Sequence, residues 1–350
     1  MVDMLYLSYT LTKREYNNAF SSLQSYLKKN FSKGQLRKDK FDKRAYITNA
    51  FSEYGLQEIR LRTTPYGYYI EIRLRPKLTI YRSEIGYYSV TKVSEFVEVR
   101  NVFNYILKDI ISLDVPDFFD WKAKRIEAAV DLKLSEELIP KYITLFKKGN
   151  LPDYFSGNSN TQKYISSDTN VYYMSKNKTV NWYNRYETLL IKEEESGKKY
   201  RDFRLTKGLL RFETQVRDGK EIVREILNQQ RLKNEVMKFY KLIVGKGDYY
   251  SFNKAEQILK ASIQNAQKCK KLLNFLKLIE SCGGITRAKK VYIGNDIANA
   301  NTKAKASADK FGKLLKKLRD QHINPVLIPA EWGIDYMENP YNKIEEEFEK

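Results

Sequence analysis

Apolar and polar residues alternate along several short stretches of this chain and recur at helical spacing along others. Residues 4–10 (MLYLSYT) read as a first strand. Residues 12–29 follow as a helix, with Tyr16, Phe20, Leu23 and Leu27 on one side. Residues 56–64 and 68–78 make a hairpin across Pro65, Tyr66 and Gly67. In it Ile59, Leu61, Ile70, Ile72 and Leu74 take one face, and Arg60, Arg62, Glu71, Arg73 and Arg75 the other. These arginines either pair with Glu58 and Glu71 or track phosphates. Residues 93–113 have the period of a helix, closed off by Pro116.

The pattern then repeats in outline. Residues 125–134 (RIEAAVDLKL) are a strand with Ile126, Ala128, Val130 and Leu132 on one face. Arg125, Glu127, Ala129 and Asp131 are on the other. A short helix spans 136–147, and the Gly, Pro, Asn and Ser content of 149–161 marks a loop. Residues 171–183 are a second hairpin around the turn 175–178. Alternation puts Val180 and Trp182 on one side and Asn181, Tyr183 and Arg185 on the other. A charged connector covers 192–204. Residues 209–217 (LLRFETQVR) are a last strand, with Arg211, Glu213, Gln215 and Arg217 facing outward.

Strand, helix, hairpin, helix, strand, helix, hairpin, strand is the order of an α+β fold. It predicts an antiparallel sheet with helices on one face and a polar, open face opposite. After residue 218 the character becomes mainly helical. This divides the chain into 1–218, a sheet domain, and 219–350, a helical DNA-binding or accessory domain. In the latter, residues 308–319 carry Phe311, Leu314, Leu315 and Leu318 on one side and five cations on the other. An extended run, 324–329, follows. This is the order of a winged helix-turn-helix, although a solvated basic helix face is the commoner origin of such a pattern.

Charge narrows the function. Lys and Arg number 63 against 43 Asp and Glu, a surplus of +20, whose natural partner is a polyanion. Nucleic acid fits better than a membrane surface, because no helix gathers the charge beside a broad apolar face. No apolar run approaches the ~20 residues of a membrane span. The first residues, with Asp3, lack the basic start of a signal peptide and read as part of the fold. Two cysteines give no disulfide framework and suit a cytoplasmic protein. A single histidine, His322, excludes a His–Cys zinc set and a Ser-His-Asp triad. Chemistry must therefore come from Tyr, Lys, Arg and carboxylates.

Three polar strand faces offer such groups. Glu127 and Asp131 lie ~13 Å apart on one strand, too far to share an ion unaided. A metal needs one of them together with Glu213 from another strand, and hard oxygen ligands favour Mg2+ or Mn2+. A tyrosine beside that ion, its pKa lowered from ~10, can attack a phosphodiester while Arg185 or Arg211 stabilises the charge. The bland alternative is cross-strand Arg–Glu pairing with tyrosine as packing.

RIEAAVDLKL, then NVYYMSKNKTVNWYNRYETL, then LLRFETQVR, in that order, resemble the replication initiators of rolling-circle plasmids and filamentous phages. The similarity covers roughly 120–217 and is nearest to the phage gene II type and to plasmid initiators without a His-hydrophobic-His motif. Glu127 stands where that family commonly has Asp, and Arg185 where it has Lys. The resemblance implies an origin-nicking and rejoining enzyme with Tyr183 as nucleophile and a 5′-phosphotyrosine intermediate. Tyr186 is the rival nucleophile. It also implies partners: origin DNA, and a helicase or a second copy of the chain. The competing readings are a non-catalytic DNA-binding regulator or degenerate initiator, a metal nuclease without a covalent step, and an RNA-binding protein.

Overall fold

The computed structural model describes residues 1–31, 36–155, 169–197, 199–217, 219–300 and 303–350. Parts of the predicted basic stretch (32–35) and loop (156–161), one residue of the charged connector, and the predicted boundary at Asp218 lie outside them.

Among the described residues, nine strands make one sheet in the order β2-β3-β4-β5-β1-β6-β9-β8-β7. The strands are β1 (Val2–Leu11), β2 (Arg37–Lys38), β3 (Ala45–Thr48), β4 (Leu56–Thr64), β5 (Gly67–Leu74), β6 (Lys122–Lys133), β7 (Asn170–Met174), β8 (Lys178–Asn184) and β9 (Leu209–Val216). The strands paired in register along β2 to β6 and on to β9 are antiparallel. The first helix, α1 (Lys13–Asn30), starts at a reciprocal capping box between Thr12 and Glu15. It buries Tyr16, Ala19, Leu23 and Leu27. Its Tyr16 meets Tyr68 and its Phe20 meets Tyr46, residues on the Ile70 and Leu61 face of the sheet.

Two short helices, α2 (Pro76–Ile80) and α3 (Glu84–Tyr88), come between β5 and α4 (Phe96–Asn104). A single π-helical turn, Tyr105–Ile110, extends α4. Then α5 (Leu138–Lys147) follows β6, and α6 (Arg185–Ser196) follows β8 without a break. After β9 come α7 (Val223–Ile226), α8 (Gln229–Ile243), α9 (Phe252–Ser262), α10 (Ala266–Ser281), α11 (Ile285–Ala300), α12 (Ala304–Asp320) and α13 (Tyr341–Glu347), with Tyr249–Tyr250 and Tyr336–Met337 pairing between them as a small antiparallel two-stranded sheet. Thus the elements expected from periodicity are present, with β2 and β3 added before the first hairpin and α6 added between the second hairpin and β9, and the region after β9 is mainly helical. Among the described residues no helix is long and apolar enough to cross a membrane.

The chain divides into two compact units. One comprises residues 1–133, 176–181 and 185–236 and holds the central strands. Its core is Leu5, Leu7, Ile59, Leu61, Ile70, Ile72, Phe212 and the aromatic group of Phe96, Phe103, Phe118 and Trp121. The other comprises residues 134–175, 182–184 and 237–350. Its core joins Phe146, Trp182 and Tyr240, whose ring centroids lie 5.6–5.8 Å apart.

One expectation about the sheet needs correction. Its polar face is not open throughout. Glu127, Arg211 and Glu213 on that face are buried. The backbone carbonyl of Tyr88, at the end of α3, reaches this corner and accepts hydrogen bonds from Arg185 and Arg211. Gly86 lets α3 pack closely on the residues before it, since a Cβ there would lie 1.7 Å from the carbonyl oxygen of Tyr81.

Candidate metal centre on the sheet

Across β6 and β9, Glu127 faces Gln215, Ala129 faces Glu213 and Asp131 faces Arg211. Alternation therefore puts Glu127, Asp131, Arg211 and Glu213 on one surface, as the sequence pattern predicts. Across β1 and β6, Leu5 faces Ile126, Met4 faces Glu127 and Val2 faces Ala128. Between Val2 and Met4 the register slips by one residue, and Asp3 is the extra one. A β-bulge of this kind re-aims a side chain. Here it brings Asp3 to the carboxylate surface.

The carboxylates of Asp3, Glu127 and Glu213 offer one oxygen each, all within 4.8 Å of one another. All three residues are buried. Among the described residues this is the one cluster whose chemistry and spacing suit a metal ion. Three hard anionic oxygens suit Mg2+ or Mn2+.

The electrostatics point the same way. Burial, then the charges of Glu213 and Asp3, push the Glu127 carboxyl up to about 8. Burial, then Asp3, raise Glu213 as well. Asp3 behaves oppositely. Its burial is outweighed by the guanidinium groups of Arg211, Arg185 and Arg75, which hold it below the usual carboxylate range. A cation among the three would relieve the repulsion between them.

Asp131 is placed differently from Asp3. It takes a bidentate contact from Arg211, with Nε and Nη2 each 2.6 Å from its oxygens. Arg211 is fully buried and also pairs with Asp3 at 2.8 Å. So Asp131 faces the expected surface, but its charge is engaged by Arg211, and the third carboxylate of the cluster is Asp3.

Arg185 departs from its predicted place on a strand. The strand ends at Asn184, and Arg185 is the first residue of α6. The following RYETLLIKEEES is rich in helix formers, and that propensity overrides the alternation read through Arg185. Arg185 is nonetheless buried and donates Nε to Tyr88 O at 2.9 Å. Lys192, which the sequence pattern places only in a charged connector, lies seven residues on and so on the same side of α6. It keeps solvent contact, yet desolvation, then the charge of Arg185, lower its pKa, with Glu213 opposing. Arg125 pairs with Glu127 at 2.6 Å and sits 4.0 Å over the ring of Tyr6. Gln215 donates to Glu213 at 3.0 Å.

The two candidate tyrosines differ in setting. Tyr183 is the penultimate residue of β8 and is buried. Tyr186 lies in the first turn of α6 and is half-buried. Its ring is 5.3 Å from that of Phe203, and the ammonium of Lys207 is 5.1 Å from its centroid.

Comparison of the chain with protein-family models, with curated proteins and with solved structures found no match.

Proposed function

We propose that the chain is a metal-dependent DNA nicking and joining enzyme that initiates rolling-circle replication. The observation that carries this reading is the buried cluster of Asp3, Glu127 and Glu213 on a protein with a charge of +20. Such a cluster, ringed by Arg211, Arg185 and Arg125, suits an Mg2+ or Mn2+ ion that neutralises a phosphodiester. Glu127 and Glu213 would ligate the ion, with Asp3 as third carboxylate. Arg211 would hold Asp3 and Asp131 in place, and Arg185 would add positive charge near the scissile phosphate.

The nucleophile in this reading is the Tyr183 hydroxyl, with Tyr186 the rival. Its oxygen forms a bond to phosphorus, and the bond from phosphorus to the 3′ oxygen breaks. A carboxylate takes the phenol proton, and the 3′ oxygen leaves as a hydroxyl after receiving one. The 5′-phosphotyrosine keeps the bond available for rejoining. The helical region after residue 218 would hold duplex DNA, a helicase or a second copy, in a winged-helix manner.

The test is incubation with 3′-end-labelled single-stranded DNA of randomised sequence and Mg2+ or Mn2+. A labelled adduct that survives denaturation is the expected product. It should fall at least about a hundredfold in Tyr183→Phe, Glu127→Gln and Glu213→Gln. An adduct lost in Tyr186→Phe instead would transfer the role. Nicking that persists in both tyrosine variants would leave a metal nuclease. DNA binding with neither adduct nor nick, with either metal, would leave a regulator.

A further inference from the structure

The charged sheet face has a second end, far from the carboxylates, that the chemistry above does not use. Two aromatic side chains there are almost wholly in water: Phe41 is 97% exposed and Tyr66 is 91% exposed. Phe41 lies in the loop from β2 to β3, and Tyr66 in the turn from β4 to β5. Because Ala45 on β3 pairs with Arg62 on β4, loop and turn project from the same end of the sheet. The carbonyl of Arg44 ties them by accepting a hydrogen bond from the Thr63 amide.

A single exposed aromatic needs no explanation. Two on neighbouring turns, each forgoing burial, are a different matter. Their surroundings are cationic. Lys40, Lys43 and Arg44 are exposed around Phe41. The two acids of the same loop are drawn inward: Asp39 pairs with Arg60, and Asp42 with Arg62, both at 2.7 Å. The loop therefore shows water Lys40, Lys43 and its aromatic ring, with Arg44 exposed but also paired with Asp42 at 3.3 Å.

We infer that Phe41 and Tyr66 form a base-stacking contact for single-stranded nucleic acid. Cations track the backbone, and each ring offers a face to a base regardless of sequence. Charge complementarity selects this occupant, and so does what continues along the sheet. Between this end and the carboxylates, Lys124 lies 5.8 Å over Tyr69 and Arg125 lies 4.0 Å over Tyr6. Cation and aromatic thus alternate toward the carboxylates. The β4–β5 turn sits beside Leu11, and the bulge at Asp3 is eight residues back along β1, roughly 26 Å. A strand bound at Phe41 and Tyr66 would run along this face. Only the far end of that path rests on the nicking reading; the stacking contact does not.

Fluorescence anisotropy with labelled oligothymidine and the full-length chain, without divalent metal, tests this. Phe41→Ala with Tyr66→Ala should weaken binding at least roughly tenfold, and Phe41→Trp should preserve it. Both side chains are in solvent, so thermal unfolding of the double variant should match the parent. Unchanged affinity in the double variant, or no binding by the parent, would overturn the inference. So would loss of binding to anionic vesicles with oligothymidine binding intact. If binding behaves as expected and no covalent adduct forms, the nicking reading fails alone.

Discussion

Arg62 and Arg211 are both strand arginines that pair with an aspartate, one in a loop and one on the neighbouring strand. Arg62 meets Asp42 at 2.7 Å, and Arg211 meets Asp131 at 2.6 Å. What separates them is water. The side chain of Arg62 is 29% exposed, while that of Arg211 is fully buried. In water an ion pair gains little, because solvent competes for both charges. Under cover the pair resists separation, because either partner left alone is a buried charge. The same alternating Arg and Glu pattern thus yields a solvated ladder on β4 and β5. On β1, β6 and β9 it yields a charged core.

Removing the buried cation should have the largest effect. Arg211→Ala leaves Asp3 and Asp131 without their main counter-charge and should cost about 3–5 kcal/mol in urea unfolding. A loss under about 1 kcal/mol would erase the distinction between the two ends.

The pH dependence sharpens it next. Burial, then Glu213 and Asp3, raise folded Glu127 from 4.5 to about 8. Between those values the folded protein holds a proton that the unfolded chain has released. Without metal, Glu127 therefore contributes stability below its unfolded pKa and loses it as pH rises through about 8. The fall should be on the order of a few kcal/mol between about pH 5 and pH 8. Thermal unfolding across pH reads it, and Glu127→Gln should flatten the slope. Mn2+ should do the same, since a cation favours the ionised form. A slope unaltered by both would place the strain elsewhere.

The smallest effect is at the solvated end. Arg62→Ala should change stability by less than about 1 kcal/mol. Salt at about 1 M should shrink that difference and leave the Arg211→Ala loss largely intact.

Part of this was legible in the chain. Glu127 and Glu213 lie on strands whose alternation is unbroken around them, so parity alone assigns their face. Asp3 could not be found that way. By strict alternation it shares parity with Leu5 and Leu7 and would point into the core. Only the bulge moves it, and a bulge leaves no mark in a hydrophobic pattern. The available signal was an acid inside an otherwise apolar start, MVDML. Arg185 misled for the converse reason: alternation continued on paper past Asn184, where helix propensity had taken over. The cover from Tyr88 was also illegible, since it comes from a backbone carbonyl, which leaves no trace in side-chain pattern. The sheet order itself was only partly readable, because β9 enters between β6 and the β7–β8 hairpin.

The bulge at Asp3 also fixes a timetable. Asp3 and Glu213 stand 210 residues apart, and their strands both flank β6. During synthesis β1 and β6 leave the ribosome long before β9. Until β9 docks, Asp3 lacks Arg211 and the carboxylate trio is incomplete. Pairings this distant are slow to close. An ion held by the trio would then act late, as a latch on the finished sheet rather than a template for building it.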